Sequence, residues 1–213
     1  MKRILLLCMV LLTGSVFAQN NDQKAQQILK SVSAKYRSFK SLKALFSITI
    51  ESSADKKKDI QKGTLYLKGP KYKLEIAGQD VISDGKTRWT YVKDANEIQI
   101  DNQRTDENSI SPTNIFTVYE KGWKSTYTGE QKGKNVADLI ELVPADPKGK
   151  NIFKVKLTIG RKEKMITSAK VFNKNGNTQT ISVDKLLADG ASDETLFTFN
   201  SAKYPGAEIV DLR

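Results

Sequence analysis

The apolar residues of this chain follow two different periods. From Gln23 to Lys40 they recur at helical spacing, which predicts one amphipathic helix, with Asn21 or Asp22 available to cap its first turn. From Leu42 to Ile50 they fall on alternate positions instead. That period of two predicts a strand with one apolar face.

Short strands bounded by turn residues continue the pattern. We expect strands at Gly63 to Lys68, Tyr72 to Ala77, Thr87 to Val92 and Glu97 to Asp101. Asp-Gly at 84–85 and Asn-Gly at 175–176 are typical hairpin turns, because such turns need positive φ values that glycine tolerates. The connections are therefore predicted to be local and the strands antiparallel.

Two segments break the alternation. Between Ser109 and Gly122, Ser-Pro at 111–112 indicates a cap and a first helical residue. Ile115, Phe116 and Tyr119 then fall on one face, so we expect a short inserted helix. The segment 184–187 is predicted to be a loop or a helical turn.

These elements predict a mainly β (α+β) fold, with about ten strands against two helices. A single large antiparallel sheet twists and tends to curl. We expect an unclosed half-barrel lidded by the N-terminal helix and the short inserted helix.

The first residues form a basic and then apolar segment that ends in small residues, as in a secretory signal peptide. We expect cleavage after Ala18, so that residues 1–18 are the signal and residues 19–213 form a single domain. Cys8, the cysteine of the chain, lies inside the signal and away from its cleavage point. The expected compartment is the periplasm of a Gram-negative-type envelope.

The composition removes most familiar catalytic designs. The chain has no histidine, and its mature part would have no cysteine, which excludes Ser-His-Asp triads and zinc sites with His or Cys ligands. The carboxylate pairs Asp80–Asp84 and Asp101–Asp106 lie beside turn residues, where they favour turn chemistry over hydrolysis. We expect no enzyme activity, no cofactor and no metal.

The formal net charge is +11. Such a surface favours acidic partners or anionic lipid headgroups. The lysines are scattered rather than blocked, and a secreted protein rarely meets nucleic acid, so no nucleic-acid partner is expected. The longest basic run, Lys56 to Lys58, is interpreted as a solvated hairpin tip.

Gly63–Glu75 and Ile82–Tyr91, with the motif Ser-Asp-Gly-Lys-Thr-x-Trp-x-Tyr, resemble the LolA family of periplasmic outer-membrane lipoprotein carriers. The similarity continues at Ser111–Phe116, which matches the inserted helix of the family. It includes Leu196–Phe199 and Pro205–Val210, which match its C-terminal signature.

The resemblance implies an apolar cavity for the acyl chains of lipidated proteins. An inner-membrane ABC-type lipoprotein exporter would release the lipidated proteins to this carrier. The carrier, expected to be a monomer, would deliver them to the outer membrane with or without an outer-membrane receptor. An alternative is a lipid-sensing regulatory module, or another amphiphile-binding protein, of the same fold.

Alternate positions of matched strands give the predicted site. The predicted cavity wall comprises Phe46, Ile48, Leu65, Leu67, Tyr72, Leu74, Ile76, Trp89, Tyr91, Ile98 and Ile100. The lid residues would be Ile115, Phe116 and Tyr119. Gly69 occupies the position where family members carry a lid-gating arginine, so Lys68 or Lys71 is expected to take over that contact, without the planar fork of a guanidinium.

Overall fold

The computed structural model describes residues 13–54, 56–103, 109–133 and 135–213, with side chains from residue 20 onward. Within these ranges the chain forms one α-helix, α1 (Thr13–Arg37), and a twelve-stranded sheet. The strands are β1 (Leu42–Glu51), β2 (Lys58–Lys68), β3 (Lys71–Ile76), β4 (Gln79–Ser83), β5 (Thr87–Val92), β6 (Glu97–Asn102), β7 (Trp123–Gln131), β8 (Ala137–Pro144), β9 (Ile152–Gly160), β10 (Met165–Asn173), β11 (Thr178–Ala188) and β12 (Glu208–Asp211).

The sheet is a single open layer, with the spatial order β12-β6-β5-β4-β3-β2-β1-β11-β10-β9-β8-β7. Neighbouring strands are antiparallel, except that β12 pairs with β6 in parallel. Strands β7 and β12 are the two edges, so the sheet does not close into a barrel. The predicted fold class is confirmed.

Helix α1 covers part of the concave face of this sheet. Its buried stripe is Ala25, Leu29, Val32 and Tyr36, a spacing that lies along one side of a helix. The stripe packs on β7 and β10. The helix begins before Asn21 and Asp22, so neither residue caps it; the Asp22 carboxylate instead accepts a 2.6 Å hydrogen bond from Thr126 Oγ1 of β7.

The hydroxyl of Tyr36 fastens the helix to the sheet. It accepts a 2.9 Å hydrogen bond from the backbone N–H of Ile166. Ile166 lies in β10 beyond its pairing with β11, which runs only from Ser168–Ser182 to Phe172–Thr178. Burial raises the pKa of the Tyr36 hydroxyl. The tyrosine therefore takes the place of a missing strand partner.

The inserted segment, residues 109–122, is a chain of turns and not the predicted α-helix. The N–H groups of Ile115 and Val118 bond the carbonyls of Ser111 and Asn114 at 3.0 and 2.9 Å, and a 3₁₀ turn at Val118–Glu120 follows. The Asn114 side chain bonds the backbone of Ser109 and Ser111. Such side-chain bonds compete with a regular helix.

The segment 184–187 lies within β11 and is neither a loop nor a helical turn. Strand β1 pairs Leu45 with Lys185 but Phe46 with Val183, so Asp184 is an extra residue in the ladder. A bulge of this kind shifts the alternation of apolar and polar residues, which is why the strand pattern was lost in the sequence.

The predicted signal peptide at 1–18 stays a prediction. Residues 1–12 lie outside the described part, and residues 13–18 form the first turns of α1. In the described ranges, no helix combines the length and the apolar character that crossing a membrane requires.

We expect Tyr36→Phe to lower the free energy of unfolding by about 1–3 kcal/mol, because the Ile166 N–H would stay buried without an acceptor. Urea titration of the mature chain measures this. The matched control is Tyr91→Phe, which removes an exposed hydrogen bond to Asn96 and should change stability by less than about 0.5 kcal/mol. Equal losses in both variants would contradict the fastening role of Tyr36.

Candidate functional site

The concave face of the sheet is divided into a filled half and an open half. In the filled half, the apolar side chains of β8–β11 pack beneath α1, and Leu142, Val155, Leu157 and Ile181 are at most 1% exposed. The register continues this face through Phe46 and Ile48 of β1, which are also buried. These two predicted cavity residues therefore belong to the core.

The open half contains a cleft of about 690 Å³ between strands β2–β6 and the inserted segment. Of the predicted cavity residues, Leu67, Tyr72 and Leu74 line it. Leu65 and Ile76 share their face but are buried in the core. We call this space the main cleft.

A smaller cleft of about 240 Å³ opens between the C-terminal end of α1 and the inserted segment. Its walls are mostly apolar and include Tyr36, Phe39, Leu42 and Phe116. Leu67, Gly69 and Thr117 line both clefts. The two spaces thus adjoin beneath the inserted segment.

The predicted lid residues are all buried at the inner side of the inserted segment. Ile115, Phe116 and Tyr119 are at most 7% exposed. The ring of Phe116 meets the ring of Tyr36 edge-on, with centroids 4.8 Å apart. The Tyr119 hydroxyl accepts a 3.2 Å hydrogen bond from Ser33 Oγ, and burial raises its pKa to about 12.

Trp89, Tyr91, Ile98 and Ile100 do not line the predicted cavity. Leu74 pairs with Val81, Val81 with Thr90, and Thr90 with Gln99. Neighbours across a ladder point to the same side, so the aromatic residues of β5 and the isoleucines of β6 lie on the outer face.

The C-terminal segment covers Trp89 and Tyr91 on the outer face. Phe199 stacks on Trp89 with centroids 5.5 Å apart, and Tyr204 lies 4.7 Å from Tyr91. Phe197 is 2% exposed on this side of the molecule, where its 3₁₀ helix, Glu194–Phe197, contacts β3 and β4. Period-two alternation separates the two faces of a strand, but it does not show which face lies toward the cleft and which lies under the C-terminal segment. The prediction that these residues line the cavity was wrong for this reason.

Polar residues that the sequence interpretation missed form the floor of the main cleft. Gln79, Arg88, Thr90 and Gln99 all line it. Arg88 Nη2 lies 2.8 Å from Asp101 Oδ2. The sequence could have indicated three of them, because Arg88, Thr90 and Gln99 alternate with the apolar residues of β5 and β6. Identifying the face required the pairing of Ser83 with Arg88 across the turn.

The residues expected to gate the lid make a different contact. Lys68 Nζ and Lys71 Nζ lie 2.6 and 3.0 Å from the carboxylate of Glu194, and hydrogen bonds from these ammonium groups lower the pKa of that carboxyl. Neither lysine replaces the family arginine at the lid. Gly69 has a φ of +57°, at the first central position of a two-residue hairpin where glycine is favoured, so an arginine there would be strained.

The carboxylates considered for hydrolysis have structural partners. Asp84 accepts hydrogen bonds from the N–H groups of Lys86 and Thr87, which lower its pKa, and Asp80 pairs with Lys93. Asp101 pairs with Arg88, while Asp106 lies outside the described residues. In the described ranges, His, Cys, Asp and Glu residues form no group of three or more suited to a metal ion.

Comparison with solved structures found proteins that align with most of this chain. An uncharacterised conserved protein from Thermus thermophilus aligns over 88% of this chain and 99% of its own, with 12% identity and a TM-score of 0.55. A LolA superfamily protein from Nitrosomonas europaea aligns over 82% and 97%, with 13% identity and a TM-score of 0.44. The Pseudomonas aeruginosa MucA/MucB complex aligns over 84% and 62%, with 14% identity and a TM-score of 0.48.

A comparison with curated protein sequences found no significant match. The family model described as outer membrane lipoprotein carrier protein LolA matches residues 37–200. That range extends from the end of α1 to the C-terminal segment over the outer face. It includes the inserted segment, all residues that line the main cleft and most of those that line the smaller cleft. The chain belongs to the LolA family.

Proposed function

We propose that this protein binds the acyl chains of lipidated proteins in the adjoining clefts and carries them through the periplasm to the outer membrane. The observation that supports this most directly is the pair of clefts that meet under the inserted segment, with apolar walls at Leu67, Leu74 and Leu42. The protein would act by binding alone, with no catalytic step and no cofactor.

The size of the site fits this proposal. Sites for small ligands usually measure about 300–1,000 Å³, and the main cleft is within that range. Moving a chain of about fifteen methylenes out of water is favourable by roughly 12 kcal/mol. Room for such a chain would increase if the inserted segment moved away from α1 and exposed the buried side of Phe116.

Release requires that binding be weaker than this transfer free energy. When the inserted segment opens, it loses the burial of Ile115, Phe116 and Tyr119, and cargo binding must compensate for that loss. The polar floor with Arg88, Thr90 and Gln99 would contact the polar glyceryl and peptide portions of the cargo, which need not be desolvated completely.

The proposed partners follow from this role. An inner-membrane ABC-type exporter would supply the cargo, and an outer-membrane receptor or the outer membrane itself would accept it. The signal peptide would be removed on export. Incubating the mature protein with spheroplasts that contain a labelled lipoprotein tests the role: a carrier releases the label as a soluble complex, whereas a lipid-sensing module would bind acyl probes without releasing lipoprotein.

We expect Leu74→Glu to weaken binding of a fluorescent fatty-acyl probe by at least about 100-fold, because a carboxylate would be placed in the apolar part of the main cleft. Fluorescence titration measures the affinity, and circular dichroism confirms folding. The matched control is Lys62→Glu, at an exposed position of β2, which should bind the probe like the unmodified protein. Equal weakening in both variants would argue against the cleft as the acyl site.

We expect Phe116→Ala to bind the probe more tightly, by about tenfold or more, while its midpoint of thermal unfolding falls. The substitution removes buried contacts that hold the inserted segment closed, and truncating a buried phenylalanine lowers the free energy of unfolding by about 3–5 kcal/mol. Opening the segment would then cost less free energy, so the net binding free energy would be more favourable. Phe172→Ala is the control, because it removes a partly buried ring of β10 that lines neither cleft. It should lower stability without changing probe affinity, and weaker binding by Phe116→Ala would contradict the lid role.

A further inference from the structure

Three hairpin loops meet at the end of the sheet where β1 finishes. They are the β1–β2 loop at 52–57, the β8–β9 loop at 145–151 and the β10–β11 loop at 174–177. Ser53 N–H donates to Asn177 Oδ1 at 3.1 Å, and Lys174 N–H donates to the Asn151 carbonyl at 2.8 Å. These bonds hold the loops together as one surface, which we call the basic end.

The basic end carries lysines on every loop. Lys56, Lys148 and Lys174 are exposed, as is Lys58 at the start of β2. Lys57 and Lys150 belong to the same loops. The acidic residues in these loops are Asp55 and Asp146, and the Asp146 carboxylate accepts a bond from the Lys148 N–H at 3.0 Å. Glu51 and Asp59 lie at the adjoining strand ends, so six lysines stand against four carboxylates and cations outnumber anions at this end.

Two aromatic rings lie on the outer face of the sheet at the base of these loops. The register between β9 and β10 shifts next to Asn173, which pairs with Ile152 while Phe172 pairs with Lys154. Phe153 is the extra residue, and the shift turns its side chain outward until it is 45% exposed. Its ring centroid lies 6.2 Å from that of Phe172.

Lysines surround these rings and extend the charge of the loops. The ammonium groups of Lys154, Lys170 and Lys156 lie 5.2, 5.8 and 5.9 Å from the ring centroid of Phe172, within the range of a cation–π contact. Glu141 and Glu51 partly neutralise Lys154 and Lys170. Among the described residues, Lys156 has no ion-pair partner.

We propose that the basic end docks on a bilayer surface rich in anionic phospholipid, with Phe153 at the depth of the headgroups. The cations of this end are lysines, which act as point charges, whereas recognition of protein carboxylates favours the bidentate fork of arginine. A spread of lysines around an exposed aromatic ring suits the diffuse negative potential of a membrane.

This orientation leaves the acyl site accessible. The smaller cleft is at the Leu42 end of β1, and the basic end is at its Glu51 end. Ten residues of strand separate the two by roughly 30 Å. A docked protein would therefore present the cleft away from the bilayer, toward a partner protein, so this docking is a separate property from acyl binding.

Co-sedimentation of the mature protein with vesicles tests the proposal. The vesicles contain either phosphatidylcholine alone or phosphatidylcholine with phosphatidylglycerol. The test variant is Lys56→Gln/Lys58→Gln/Lys148→Gln/Lys156→Gln. The charge-matched control, Lys30→Gln/Lys162→Gln/Lys185→Gln/Lys203→Gln, changes exposed lysines away from the basic end. Titration with the acyl probe shows whether each variant keeps its cleft.

We expect the unmodified protein to bind only the anionic vesicles, with weaker binding as salt is added. The test variant should bind them at least about tenfold more weakly, the control should lose less than about threefold, and both should bind the acyl probe normally. Equal losses in the two variants would show that net charge alone matters and would overturn the assignment to this end. Absence of binding to anionic vesicles, or equal binding to neutral ones, would overturn the proposal as a whole.

A tryptophan at the aromatic position reports the depth of docking. We expect Phe153→Trp to gain fluorescence that shifts to the blue with anionic vesicles and is quenched by brominated lipid. Trp89 and Trp123 provide the background signal in the unmodified protein. If the added signal is unaffected by the vesicles although the protein sediments with them, Phe153 does not enter the headgroup region and the proposed orientation is wrong.

Discussion

The arrangement of this molecule depends on a mismatch of width between one helix and the sheet that it covers. A helix with its side chains is about 10–12 Å across, and strands lie about 4.8 Å apart, so one helix covers two or three strands. Helix α1 packs on the side of the sheet formed by β7–β10, where it contacts β7 and β10. The concave face of β2–β6 must be covered by something else, and the inserted segment covers only part of it, which leaves the two clefts.

The polar floor of the main cleft explains how such a space persists in a folded protein. A dry apolar gap loses the dispersion contacts of its walls and tends to collapse. Arg88, Thr90 and Gln99 provide polar groups that water can solvate, so the cleft need not collapse when no ligand is bound. The apolar surface at Leu67 and Leu74 remains at its wall, where hydrocarbon could replace water.

The sequence was sufficient to predict the general fold but not which face of each strand lines the cleft. The change of period at Leu42, the hairpin turns and the apolar residues at 115–119 predicted the open sheet, its helix and its inserted cover, because these signals depend on local spacing. The positions of Trp89 and Tyr91 depend on strand register and on a C-terminal segment more than 100 residues away. Local patterns contain no information about such a partner.

The two covers of strands β2–β6 differ in how firmly they are held, and this difference suits a binding site. On the outer face, Phe199 stacks on Trp89 and Tyr204 lies against Tyr91, while Glu194 bonds Lys68 and Lys71 on either side of the β2–β3 turn. Gly69 in that hairpin lines both clefts, so the C-terminal segment fixes the wall of the site from behind. The inserted segment is built from turns, and local opening needs least free energy where regular backbone pairing is sparse. A wall fixed from behind and a cover built from turns would allow the proposed site to change volume without a change in the sheet.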